Sequence, residues 1–182
     1  MSVLKHLSVL LLLAHGICYC QDSTSTLENQ VKAAYIYNFT KFVYWNTQPQ
    51  INDSTPLTIA IIGDESIGTI LESFSKTQGK VRPLLVKVIT TNDTNLTGCD
   101  IVYIGKVATK KLPVLLKRID NNSILTVSDI SGFTAKGGMI GFYLDNGKVK
   151  IEINMTAVAN AKLQISAKLL EVARLTRSGK IE

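Results

Sequence analysis

Short apolar runs that end in glycine or a polar residue, separated by segments of helical period, constrain this chain most. Leu57–Ile62 is nearly unbroken in its hydrophobicity and stops at Gly63, and Ile101–Ile104 does the same and stops at Gly105. Leu84–Ile89 and residues 124–127 are similar runs, the last followed by Ser128 and Asp129. Runs this short and this apolar suit strands buried on both faces, which is the condition of a parallel sheet covered by helices. Between them, residues 67–74 and Leu112–Ile119 carry apolar residues at helical spacing, with Pro113 confined to a first turn where its missing N–H costs nothing. The alternation predicts an α/β fold, a mostly parallel sheet flanked by helices on both faces.

Residues 27–44 precede this core. Val31, Ala34, Tyr35, Phe39, Phe42 and Val43 repeat at helical spacing, and Ser25 stands three residues before Glu28, so one amphipathic helix with a capping box is expected, ending at Trp45. Residues 46–55 read as a polar loop. After Gly132 the pattern changes. Residues 139–144 and 149–153 are two runs joined by Asp145, Asn146 and Gly147, and Asn-Gly is a strong hairpin signal because both residues accept positive φ. Val158, Ala161, Ile165, Leu169 and Val172 then predict a final helix after this C-terminal β-hairpin.

The first twenty residues have the order of a signal peptide: Lys5 and His6, an apolar run, then Gly16 and Cys18 before a polar stretch opening at Gln21. The apolar run is far short of the ~20 residues that span a bilayer. Cleavage is expected after Cys20, giving a soluble periplasmic product; Ile17 and Tyr19, ahead of Cys18 and Cys20, do not suit a lipoprotein signal. The 182 residues less the first 20 leave 162, the size of one domain spanning 21–182. Export removes one of 20 basic residues and none of 14 acidic ones, so the charge becomes +5. The basic residues are spread out, with mild clusters at Lys110–Lys111, Lys117–Arg118 and Arg174–Arg177; no aromatics interleave with them, which argues for a solvated face and against nucleic acid.

Both histidines, His6 and His15, leave with the signal peptide, and of three cysteines only Cys99 stays. A Ser-His-Asp triad, a Cys-His pair, a histidine or multi-cysteine zinc site and an internal disulfide are therefore excluded within one exported chain. Cys99 adjoins the run Ile101–Ile104 and is expected to be buried. The stretch after the first strand is GDESIG, neither a dinucleotide fingerprint nor a P-loop, so Gly63 and Asp64 read as a strand-to-helix turn. Asp64 with Glu65, and Asp100 with Asp129, lie near strand ends, where ligands bind in open α/β sheets; a converging pair there would hold a divalent cation or share acid–base work, while cap and turn roles are the ordinary alternative. No catalytic residue, metal ligand or cofactor is expected, and the chain is expected to act by binding, not as an enzyme.

A partner surface is expected over residues 133–154, with Phe133, Gly137, Gly138, Glu152 and Asn154 as its candidate residues. Phe133 is either an exposed loop anchor or folded back into the core. The paired glycines allow a bend or a close approach. Glu152, between Ile151 and Ile153, is turned away from them by strand alternation and is either solvated or paired with a partner. This stretch leaves the parallel pattern, so it is expected at the edge or end of the sheet.

Three blocks of the sequence resemble the YfiR/HmsC-like periplasmic regulators. They are VKAAYIYNFTKFVYW from Val31, CDIVYIG from Cys99, and a third running from LTVSD at Leu125 through GGMIGF at Gly137 and IEIN at Ile151 to ISAKLLEVAR at Ile165. The resemblance implies an exported α/β protein that represses a membrane-bound diguanylate cyclase by binding its periplasmic sensor region, lowering cyclic-di-GMP and biofilm formation. Asn46 replaces the proline usual after the tryptophan. The single cysteine departs from members with disulfides. A periplasmic small-ligand binding protein, using the crevice near Asp64 and Ser128, is the competing reading; a homodimer is compatible with either.

Overall fold

The computed structural model describes residues 23–45, 55–77, 83–92, 95–119, 123–177 and 180–181. The expected signal peptide, and all but one residue of the loop expected over 46–55, lie outside them. Helix α1 (Ser23–Phe42) leads into β1 (Val43–Trp45). Then come β2 (Leu57–Ile62), α2 (Glu65–Thr77), β3 (Leu84–Ile89), β4 (Ile101–Ile104), a 3-10 helix (Lys106–Lys111), α3 (Leu112–Ile119) and β5 (Leu125–Ser128). The chain continues through β6 (Ile140–Asp145), β7 (Lys148–Asn154), α4 (Met155–Asn160), β8 (Leu163–Ile165), α5 (Ala167–Leu170), β9 (Ala173–Arg177) and β10 (Lys180–Ile181).

One eight-stranded sheet, in the order β10-β9-β7-β6-β5-β4-β2-β3, forms the centre. Strands β2 to β6 all pair in parallel, as the buried apolar runs require. Strand alternation sorts their side chains into two cores. Ile59, Ile61, Ile101, Tyr103, Leu125 and Val127 face Ala33, Ile36 and Phe39 of α1 and Ile67 and Leu71 of α2. Ala60, Ile62, Val102 and Ile104 face Leu112, Leu115 and Ile119 of α3 on the other side. The expected α/β class, with helices on both faces, is therefore observed.

Four local expectations are corrected. Helix α1 starts at Ser23, so Ser25 lies inside it rather than at its N-cap position, and Glu28 pairs with Lys32. The helix also stops at Phe42, because Val43, Tyr44 and Trp45 pair antiparallel with Ile165, Gln164 and Leu163. The final helix does not exist as one element. Asn154 caps α4 by accepting from the Ala157 N–H at 3.1 Å, Lys162 takes φ +58 just past that helix, and Ser166 caps α5. Two short helices around a strand thus imitate one helical period. Finally, the hairpin is not at a sheet edge. Asn146 and Gly147 do turn it, at φ +48 and +73, but β9 and β10 extend the sheet beyond β7.

Candidate functional site

The strand order reverses between β3-β2 and β4, the point where open α/β sheets usually bind ligands. Here backbone closes it. The Gly105 N–H donates to the Ile62 carbonyl at 2.8 Å, and a Cβ on Gly105 would lie 2.6 Å from the Gly63 carbonyl oxygen. Asp64 accepts from the Ile67 N–H at 3.1 Å as the cap of α2, and Ser128 is fully buried, donating to the Ile104 carbonyl and accepting from the Ile130 N–H. Both side chains are committed to holding local backbone. Asp100 sits at the start of β4, at the opposite end of the sheet from Asp129, and accepts from the Thr58 N–H at 2.8 Å. The acidic residues near the strand ends therefore do not form one cluster, and among the described residues no group of three His, Cys, Asp or Glu could hold a metal ion.

The open space lies further along the sheet, where β6 and β7 outrun the end of β5. A cleft of about 920 Å³ forms there between Glu28 and Lys32 of α1, Lys106, the turn from Asp129 to Lys136, the hairpin and Arg174 of β9. Its size is that of a small-molecule site. Alternate strand residues point to opposite faces, so Phe142, Leu144 and Val149 line it as an apolar wall from the α1 side of the sheet, and Tyr143, Glu152, Arg174 and Thr176 line it from the other side.

At the rim of this cleft an ion-pair network crosses the fold. Lys32, 3% exposed, donates to Asp129 Oδ2 at 2.7 Å and meets Glu28 at 2.5 Å, and Lys106 lies 3.6 Å from the same Asp129 oxygen. Burial alone would lower the Lys32 pKa; the hydrogen bonds and charges of Asp129 and Glu28 outweigh it and raise the ammonium above 10.5. Tyr103 sits fully buried beside this network, its phenol pushed up by burial and by the charge of Asp129. Among the described residues neither its hydroxyl nor Asp129 Oδ1 has a hydrogen-bond partner.

Five residues expected at a partner surface divide sharply. Phe133 is 1% exposed and packs in the α3-side core, so its ring is not an exposed anchor. A Cβ on Gly138 would lie 2.2 Å from that ring, so this glycine exists to admit Phe133. Gly138→Ala is accordingly expected to destabilise the fold by about 1–3 kcal/mol through overpacking, measurable in a urea melt; unchanged stability would place the ring elsewhere. Asn154 is fully buried, holding α4 and donating to the Thr134 carbonyl at 2.9 Å. Glu152 does point away from Ile151 and Ile153, but its partners are internal: Arg174, and Thr134 at 2.5 Å. Charge reversal at Glu152 would break these pairs, so it is not a clean surface probe. Gly137, at φ +98 with open space around it, alone faces solvent.

Periodicity in the sequence marks none of Lys32, Tyr103 or Lys136, and marks Asp129 only as an acid near a strand end. The blocks held the signal: Lys32, Tyr103 and Asp129 come one each from VKAAYIYNFTKFVYW, CDIVYIG and LTVSD, and the fold brings them together. The sequence profile of the YfiR/HmsC-like family matches residues 29–174. The chain belongs to that family. No curated protein matches it. Among solved structures, the ABC domain in complex with L-Trp from Streptococcus pneumonia is similar at 13% identity and a TM-score of 0.55, over 81% of this chain and 60% of that one. A conserved domain protein from Vibrio cholerae O1 biovar El Tor is similar at 10% identity and a TM-score of 0.56, over 82% and 60%. This YfiR/HmsC-like chain spans only about 60% of either structure, and at these identities the likeness concerns the fold alone. Among the described residues no helix is long and apolar enough to cross a membrane. Cys99 is buried, as its neighbourhood suggests, and burial raises its thiol pKa, which keeps it a poor nucleophile.

Proposed function

We propose that this chain is an exported regulator that acts by binding, not by catalysis, and that it represses a membrane-bound diguanylate cyclase by holding its periplasmic sensor region. The observation that carries this reading is the family match over residues 29–174. A binding protein regulates such a receptor by favouring one of its conformations, which needs a surface and no reactive group. The contact is proposed at the cleft mouth, where Leu144 is 57% exposed, with exposed Gly137 directly following the turn that lines the cleft as far as Lys136. The other residues first expected to contact the partner would support this surface from beneath.

Leu144→Glu tests the surface. The side chain is outside the core, so melting should stay within about 0.5 kcal/mol of the parent, while capture of a cyclase sensor region should weaken at least about tenfold. Normal capture would move the surface elsewhere. A second reading, a periplasmic small-ligand protein, is favoured by the 920 Å³ cleft. A thermal-shift screen separates the two, since a ligand at a hundred times its Kd stabilises by ~2.7 kcal/mol.

A further inference from the structure

The 3-10 helix and α3 form one rod over residues 106–119, KVATKKLPVLLKRI, with five cations and no acid. Ala108, Leu112, Leu115 and Ile119 are buried beneath it. The exposed positions repeat a unit: Val107, then Lys110 and Lys111, then Val114, then Lys117 and Arg118; one methyl of Val107 leans over Gly63. Val107 is 74% and Val114 55% exposed. Lys111 donates to the Thr91 carbonyl at 3.1 Å and to Asn92, which fixes the neighbouring loop. Among the described residues neither Lys110 nor Lys117 has an acidic partner. A solvated helix face needs no valines and normally mixes charges of both signs. Apolar side chains set between paired cations fit a flat, anionic, partly apolar surface.

We infer that this stripe docks the protein on an anionic phospholipid membrane. Each cation near such a surface adds a small favourable increment that salt screens, and each valine buries against the headgroup boundary. The inference is independent of the cyclase reading and can fail alone. All described elements lie within the expected exported form, residues 21–182, so that form is the one to sediment with vesicles. It should pellet with mixed phosphatidylglycerol–phosphatidylcholine vesicles at low salt, be released as salt rises, and stay in solution with phosphatidylcholine alone. The double variant K110E/K117E should bind about tenfold more weakly, with unchanged melting. Val107→Ser with Val114→Ser should weaken binding while preserving its salt dependence. Failure of the parent to pellet with anionic vesicles, or undiminished binding by K110E/K117E, would overturn the proposal. An acidic protein face as the true occupant would give that first result, with K110E/K117E instead losing capture from membrane extract.

Discussion

Lys32→Ala is expected to cost about 3–5 kcal/mol of stability, the usual penalty for stranding one member of a buried ion pair. The side chain of Asp129 is 8% exposed, and Lys32, itself 4% exposed, is its 2.7 Å partner. Lys106 is 3.6 Å away and 69% exposed, so it offers only partial compensation. Removing both charges, with Lys32→Met and Asp129→Leu together, should restore most of the loss, because well-packed apolar residues often replace a buried pair without penalty. The sign of the pH effect follows from the raised Lys32 pKa. Its contribution is fully present below the unfolded value of 10.5 and fades only as pH climbs through the higher folded value. The gap between parent and Lys32→Ala should therefore be flat at neutral pH. The single tryptophan, Trp45, is buried and reports unfolding in urea. A Lys32→Ala protein as stable as its parent would mean that α1 is not pinned to the sheet by this pair.

Phe39→Ala should cost about 3–5 kcal/mol as well, by a different route. Its ring is fully buried, 6.2 Å from Tyr35 and 6.3 Å from Phe142, the latter in a stacked arrangement. Alanine would leave a cavity between α1 and the strand that forms the cleft's apolar wall. Phe39→Leu keeps most of the volume and should cost about 1.5 kcal/mol or less. Equal melting of Phe39→Ala and the parent would instead make this helix face a free surface.

The core was legible because its period is simple. β2, β3 and β4 fall where the apolar runs predict them, and α3 spans the residues its spacing marks. The end of the chain was not, because Val158, Ala161, Ile165, Leu169 and Val172 lie at near-helical spacing in an arrangement that is not one helix. The decisive signals there were local: Asn154 and Ser166 as helix caps, and the alternation of Ala173 and Leu175 with Arg174 and Thr176 in β9. The candidate site was hidden for a related reason. Lys32 shares the buried stripe of Ile36, Phe39 and Val43, and a search for apolar periodicity passes over a lysine. Its burial makes sense only once Asp129, 97 residues away, is brought beside it. Phe133 shows the reverse: an aromatic in a glycine-bearing loop suggests exposure, yet Gly138 leaves room for the ring to turn inward.

The central claim, regulation by binding, is tested most directly by titrating the purified protein with the isolated periplasmic sensor region of a membrane diguanylate cyclase from the same cell, and then adding it to membranes that carry the intact enzyme. The account predicts saturable binding with a Kd of about 1 μM or tighter, and a matching fall in cyclic-di-GMP synthesis. No binding heat at high concentration, with synthesis unchanged, would contradict it.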